Sequence, residues 1–233
     1  MALIYSAQLH PTKFELLAGW LPAQQWFAHD AGAELAPAGA FRFDDPAGEV
    51  GVEVLLVRVG DEVLQAPLAY RGAPLPGAEQ WLVGTMEHSV LGSRWVYDAC
   101  ADPVYAAALA AVVRGDATQA EEAVMGADGV ARPRAASVTV RATRPEGSAG
   151  TAASAGTAAS ARAAAPVLPD DVPAPCTTSG AVTVIRLGEV ELAVRRVLDL
   201  AGQGQGQGHD LPGLAATWPG QTEPVLLATV SPS

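Results

Sequence analysis

The chain has 233 residues, of which 49% are hydrophobic and 17% charged, enough for one large domain or two small ones with a buried core. Its formal net charge of −11 excludes the clustered basic surface that a nucleic-acid binder needs. The start "MALIYSAQLHPTK" has no basic segment followed by a long apolar one, and the apolar run "VYAAALAAVV" is about half of a membrane span, so no signal peptide or membrane segment is expected and the cytoplasm is the expected location.

In chain order, "ALIYSAQLH" reads as a strand and "PTKFELLAGWL" as a short helix with proline at its start. "GAFRFDD", "VGVEVLLVRVG" and "EVLQAPLAY" read as successive strands, with Gly60-Asp61 a hairpin turn between the last two. "WLVGTMEHS" and "SRWVYDA" make a further pair around Gly92. "DPVYAAALAAVVRG" is a helix, with Asp102 as N-cap, Pro103 at the first helical position and Gly115 past the end. "ASVTVRAT" returns to strand alternation.

Residues 144–178 contain the repeat "GTAASA" at 150–155 and 156–161, then a Pro-rich tail. With almost no large apolar side chain to bury, this run is expected to be a disordered linker between a globular region, 1–143, and a β-rich segment, 179–233. In that segment "GAVTVIRLG" and "EVELAVRRVLDL" form a hairpin about Gly188, and "EPVLLATV" is a last strand. The stretch "PGLAATWPGQTEPVLLATV" supplies this apolar strand and Trp218, which would otherwise be exposed. The loop "GQGQGQG" at 202–208 is not a dinucleotide fingerprint, because its third required glycine falls on Gln207 and it follows a strand without opening a helix. A few strands are not stable alone, so 179–233 is expected to pack on the first region.

The densest polar run is "GTMEHSVLGSRWVYDACADPVY", residues 84–105. Alternation puts Arg94, Val96 and Asp98 on one strand face and Trp95 and Tyr97 on the other. A reversal over Ser89 to Gly92 would set Glu87 opposite Arg94 as a cross-strand ion pair, and a shift of one residue would undo that. Glu87, His88, Arg94 and Asp98 are thus the candidate ligand or ion-pair positions, with structural ties the first reading. The sharper reading makes Glu87 and Asp98 an acid/base pair acting on a glycoside, which needs carboxyls about 5 to 9 Å apart.

Elsewhere the chemistry is thin. His88 beside Ser89 lacks a G-x-S-x-G elbow. Cys100 precedes a helix start, which could lower its pKa, but an inert buried thiol is the first reading. Asp44-Asp45 reads as a turn. Trp20, Trp26, Trp81 and Trp95 are spaced as core residues. Two cysteines make neither a disulfide framework nor a zinc site, and no cofactor or metal is expected.

The stretches "LHPTKFELLAGWL", "GAFRFDDPAGEVGVEVLLV" and "APLAYRGAPLPGAEQWLVGTMEHSVLGSRWVYDACADPVY" resemble, in order, the N-terminal cap domain of actinobacterial maltokinase and related aminosugar kinases, over roughly residues 3–115. The resemblance implies an α+β fold, a curved antiparallel sheet with one or two packed helices, that carries no catalytic groups. In such kinases a small β subdomain with a phosphate-holding lysine follows, then a helical lobe with a catalytic aspartate and metal-binding carboxylates. "VTVIRLGEVELAVRRVL" faintly resembles the lysine-bearing strand pair, but Ala193 stands at the lysine position and Lys13 is the only lysine. Thirty-five residues follow Leu198, and His209-Asp210 lacks the downstream Asn of a catalytic loop. The resemblance therefore implies a non-catalytic interaction or regulatory protein of α-glucan, maltose or aminosugar metabolism, with a protein partner or a sugar ligand. The alternatives are a small carbohydrate-active enzyme using Glu87 and Asp98, or a relic nucleotide-binding lobe.

Overall fold

The computed structural model of the chain describes residues 2–5, 7–126, 128–144, 168–201 and 210–233. Two stretches near the N-terminus belong to different sheets: β1, Ala2–Tyr5, and β2, Leu9–His10. The single strand expected over 2–10 therefore divides. β1 lies parallel to a later strand, whereas β2 runs antiparallel to residues 87–88.

Helix α1, Lys13–Trp20, starts on a capping box rather than on the proline. The Thr12 hydroxyl accepts from the Glu15 N–H, and the Glu15 carboxylate accepts from the Thr12 N–H at 2.7 Å, so two end donors that the helix leaves unpaired are satisfied.

The hairpin-rich middle forms β3, Ala36–Phe43, β4, Gly51–Val59, β5, Glu62–Arg71, β6, Leu82–His88, and β7, Gly92–Asp98. With β2 they make a curled antiparallel sheet ordered β2-β6-β7-β5-β4-β3. Val59 pairs with Glu62, so Gly60-Asp61 is the two-residue turn that its sequence demands, with Gly60 at φ 57°. β4 is buried along nearly its whole length because both of its faces are covered. Leu55, Val57 and Val59 join Leu17, Leu21 and Trp26 on the α1 side, and Val52, Val54 and Leu56 face the opposite core. Continuous apolar runs, rather than strict alternation, are what two-sided burial requires.

Helix α2, Pro103–Arg114, has its expected caps. Asp102 accepts from the Val104 N–H, Pro103 is first in the helix, and Gly115 closes it in the left-handed region at φ 78°. Val104, Tyr105, Leu109, Val112 and Val113 of α2 pack into one core with Phe41, Phe43 and Val54 of the first sheet and with Leu187, Leu192, Leu214 and Trp218 of the second. A small third sheet joins β1 to β8, Glu122–Met125, and β9, Ala131–Arg134. β9 is exposed throughout and carries no periodic signal.

The second six-stranded sheet contains β10, Thr139–Thr143, β11, Cys176–Ser179, β12, Val182–Leu187, β13, Val190–Arg195, β14, Gly213–Trp218, and β15, Gln221–Pro232, in the order β10-β14-β15-β13-β12-β11. It is wholly antiparallel. The strand expected in the first region at 136–143 is thus the edge of this second sheet, paired with β14. Of the expected linker 144–178, residues 145–167 lie outside the described residues, as does the whole "GQGQGQG" loop. Its last part is folded: Ala174 is buried and donates its N–H to the Ala101 carbonyl, and β11 begins at Cys176. The Pro-rich composition there marks a connection that packs on α2's approach, not the end of order. The fold is α+β and β-rich, with two short α-helices among the described residues.

Ties between the sheets are polar as well as apolar. Arg196, fully buried, donates from Nη2 to the Asp98 carboxylate at 2.6 Å and from Nε to the Thr183 hydroxyl at 2.8 Å. Its guanidinium also lies over the Trp26 ring, 5.4 Å from the centroid. Gln65 of β5 donates its amide to the carbonyls of Arg195 and Leu227. No helix among the described residues is long and apolar enough to cross a membrane.

Candidate ligand-binding cleft

On the α1 side of the curled sheet, a cleft of about 420 Å³ opens between two hairpin turns. That volume lies within the ~300–1,000 Å³ range of small-molecule sites. One turn joins β3 to β4. Asp45 holds it by accepting from the N–H groups of Ala47, Glu49 and Val50 at 3.0, 2.9 and 2.8 Å, so the Asp44-Asp45 turn reading holds. The other joins β6 to β7. His88 holds it by accepting through Nδ1 from the N–H groups of Val90 and Leu91. With Nδ1 so occupied, the neutral ring carries its proton on Nε2. Partial burial, helped by the Arg94 charge, moves the imidazole below its ordinary pKa.

The floor is a buried charge cluster. Arg42 of β3 stands directly across from Glu53 of β4, and alternation directs both side chains to the α1 side. Glu53 accepts from Arg42 Nη2 at 2.8 Å, from the Tyr70 hydroxyl at 2.9 Å and from the Lys13 ammonium at 2.5 Å. Burial acts to raise the Glu53 pKa, but the Lys13 and Arg42 charges and the bonds from Lys13 and Tyr70 outweigh it and hold the carboxyl below its ordinary value. Tyr70 moves the other way: burial first, and the Glu53 charge second, raise its hydroxyl well above the usual range. Lys13 also lies over the Tyr70 ring, 5.6 Å from the centroid.

Of the four sequence candidates, His88 and Arg94 line this cleft, whereas Glu87 and Asp98 do not. The expected Glu87–Arg94 ion pair is corrected by one residue. Glu87 is opposite Ser93 and accepts its hydroxyl at 2.6 Å, while Arg94 is opposite Met86 and donates to the Leu91 carbonyl. The reversal takes three residues, not four, because Gly92 adopts φ 74° and still pairs with His88, and the His88 ring caps the tip. Glu87 and Asp98 are no carboxylate pair. Ser93 and Asp98 are five positions apart on β7, so the two acids point to opposite faces and are separated by about 17 Å along the strand alone.

Asp98 serves the junction instead, accepting from Arg196 and, at 3.1 Å, from the Cys100 N–H. Next to it Arg71 makes a two-pronged bond to the buried Asp102 at 2.7 and 3.0 Å. Cys100 does not gain acidity from the helix start; full burial raises its thiol well above the usual value, and burial raises Cys176 to about 12. Trp20 and Trp26 meet edge to face, and Trp81 and Trp95 pack around Leu75 and Tyr97, so none of the four lines the cleft. Among the described residues no group of three or more His, Cys, Asp or Glu is placed to hold a metal.

Sequence reasoning passed over Lys13, Arg42, Glu53 and Tyr70 as site residues. One signal was present: Glu53 interrupts the apolar run "VGVEVLLV", and a buried carboxylate requires partners. The partners themselves come from three other elements, which only the curl of the sheet brings together.

Comparison with curated proteins finds no match for the chain. Comparison with family models finds one, to the maltokinase N-terminal cap domain, over residues 20–102. The matched span begins at the last residue of α1, takes in β3 to β7 with both cleft-forming turns, and ends at the N-cap of α2. Residues 20–102 of this chain are accordingly similar to the maltokinase N-terminal cap domain.

Proposed function

We propose that the chain is a non-catalytic interaction or regulatory module, cap-like in its first part, that works in α-glucan, maltose or aminosugar metabolism. The cap match supports the link to that metabolism. The observation that carries the non-catalytic reading is the fate of the only lysine. Lys13 is bonded to Glu53 in the cap, while Ala193, which stands at the lysine position in the faint resemblance of the second sheet to a kinase β subdomain, lies between Val184 and Thr229. A methyl group there offers no cation to the phosphates of a nucleotide, and phosphoryl transfer rests on positioning and neutralising that charge.

Thermal unfolding with and without magnesium-ATP tests this reading. A nucleotide held at one hundred times its Kd would add about 2.7 kcal/mol, a rise of roughly 5–11 °C for a chain of this size. The reading expects a change below about 1 °C. A rise within the larger range would overturn it in favour of a nucleotide-binding lobe.

A further inference from the structure

We infer that the cleft between the β3–β4 and β6–β7 turns binds a small ligand through a single oxyanion, a carboxylate or a phosphate ester. The argument is a hydrogen-bond inventory. The carboxylate on the cleft floor is spent: Glu53 takes three donors, from Arg42, Lys13 and Tyr70. The donors are not. Arg42 commits Nη2 to Glu53, and its buried Nε has no hydrogen-bond partner. Arg94 commits only Nη2, to the Leu91 carbonyl. Lys13 commits one of three protons, and its side chain is 24% exposed. Guanidinium groups and an ammonium beside a carboxylate that is already fully bonded suit a carboxylate or phosphate oxygen pair.

Charge narrows the class. The inner wall sets three cations, Lys13, Arg42 and Arg94, against the one carboxylate of Glu53, in a chain of net charge −11. The rim is acidic, with Asp44, Asp45 and Glu49 on the β3–β4 turn, and His88 on the facing turn is held toward its neutral form. A polyanion such as a nucleotide triphosphate or a nucleic acid meets that rim repulsively, whereas one oxyanion at the tip of a small molecule passes it. Leu9, Phe43 and Met86 give the remainder of the ligand an apolar surface.

This inference is independent of the non-catalytic reading, since an oxyanion site serves an enzyme or a binding module alike. The test is an amide NMR titration of the intact protein with inorganic phosphate and, separately, acetate as probes, with glycerol as the neutral control. Saturable shifts at Val90, Leu91 and residues 47–50 are expected for at least one oxyanion up to about 50 mM, and none for glycerol. Arg94→Gln, whose only bonded group is the Leu91 carbonyl, is expected to keep the fold and weaken the Kd by about tenfold or more, as is added chloride salt. Lys13→Gln provides a second variant with the same expectation. Phosphate or acetate saturating alone identifies which oxyanion the site takes. No saturation by either probe, equal saturation by glycerol, or an unchanged Kd in both folded variants overturns the inference.

Discussion

Replacing Asp98 with alanine tests how the two sheets are held together. The Asp98 side chain is 8% exposed and that of its partner Arg196 is 0% exposed, so the substitution leaves a guanidinium charge in the interior with one fewer anion. Arg196 Nη1 already lacks a partner there, so no spare acceptor is at hand to replace the lost carboxylate. Breaking a buried pair on one side costs about 3–5 kcal/mol, because the remaining charge stays desolvated. The Cys100 N–H loses its acceptor as well, at a net cost of about 1 kcal/mol. The sum, roughly 4–6 kcal/mol, lowers the Tm by about 8–24 °C for a chain of this size. Removing both partners separates the pair from the loss of packing. In Asp98→Leu/Arg196→Met the charge is gone, and replacement of a buried pair by apolar side chains is commonly neutral or stabilising, so most of the stability returns. Urea denaturation of the wild type, each single variant and the double variant gives the coupling energy directly. A loss of about 1 kcal/mol or less in Asp98→Ala, or a double variant no more stable than either single one, would refute the reasoning.

Three further outcomes follow from the same geometry. Because the Glu53 carboxyl is held below its ordinary pKa of 4.5, its contribution to stability is full above that value and is lost as pH falls through the lower folded value. Glu53→Gln is expected to cost about 3–5 kcal/mol at neutral pH and to flatten the acid limb of a stability-against-pH curve; an acid limb as steep as in wild type would contradict this. Gly115→Ala meets no steric neighbour but places a Cβ at φ 78°, so denaturation is expected to show a loss of about 1–2 kcal/mol. Both thiols have raised pKa values, so neither Cys100 nor Cys176 is expected to react with a maleimide at neutral pH until the protein unfolds.

Much of the local structure was legible because it is written in short-range chemistry. Asp102-Pro103 and Gly115 mark α2, Gly60-Asp61 marks a hairpin, and "VGVEVLLVRV" is a strand by composition. What was not legible depends on tertiary context. The β6–β7 register turned on whether Gly92 would pair, and its left-handed φ decided that by one residue, parting Glu87 from Arg94. β10 pairs with β14 across seventy or more positions of sequence, which no local pattern encodes. The cleft shows the same division. His88 and Arg94 stood out in a polar run, whereas Lys13, Arg42, Glu53 and Tyr70 sit on four separate elements and become one cluster only when the sheet curls over α1. The burial of Arg196 depends on Asp98, ninety-eight positions earlier, which no local pattern around Arg196 encodes.

The most direct measurement of the central claim is phosphorus NMR of the purified protein incubated with magnesium-ATP and either maltose or glucosamine. The account predicts nucleotide spectra indistinguishable from a protein-free control and no sugar phosphate resonance, since the only lysine is tied to Glu53 and Ala193 presents no cation. A sugar phosphate signal that grows with time and protein concentration would contradict it.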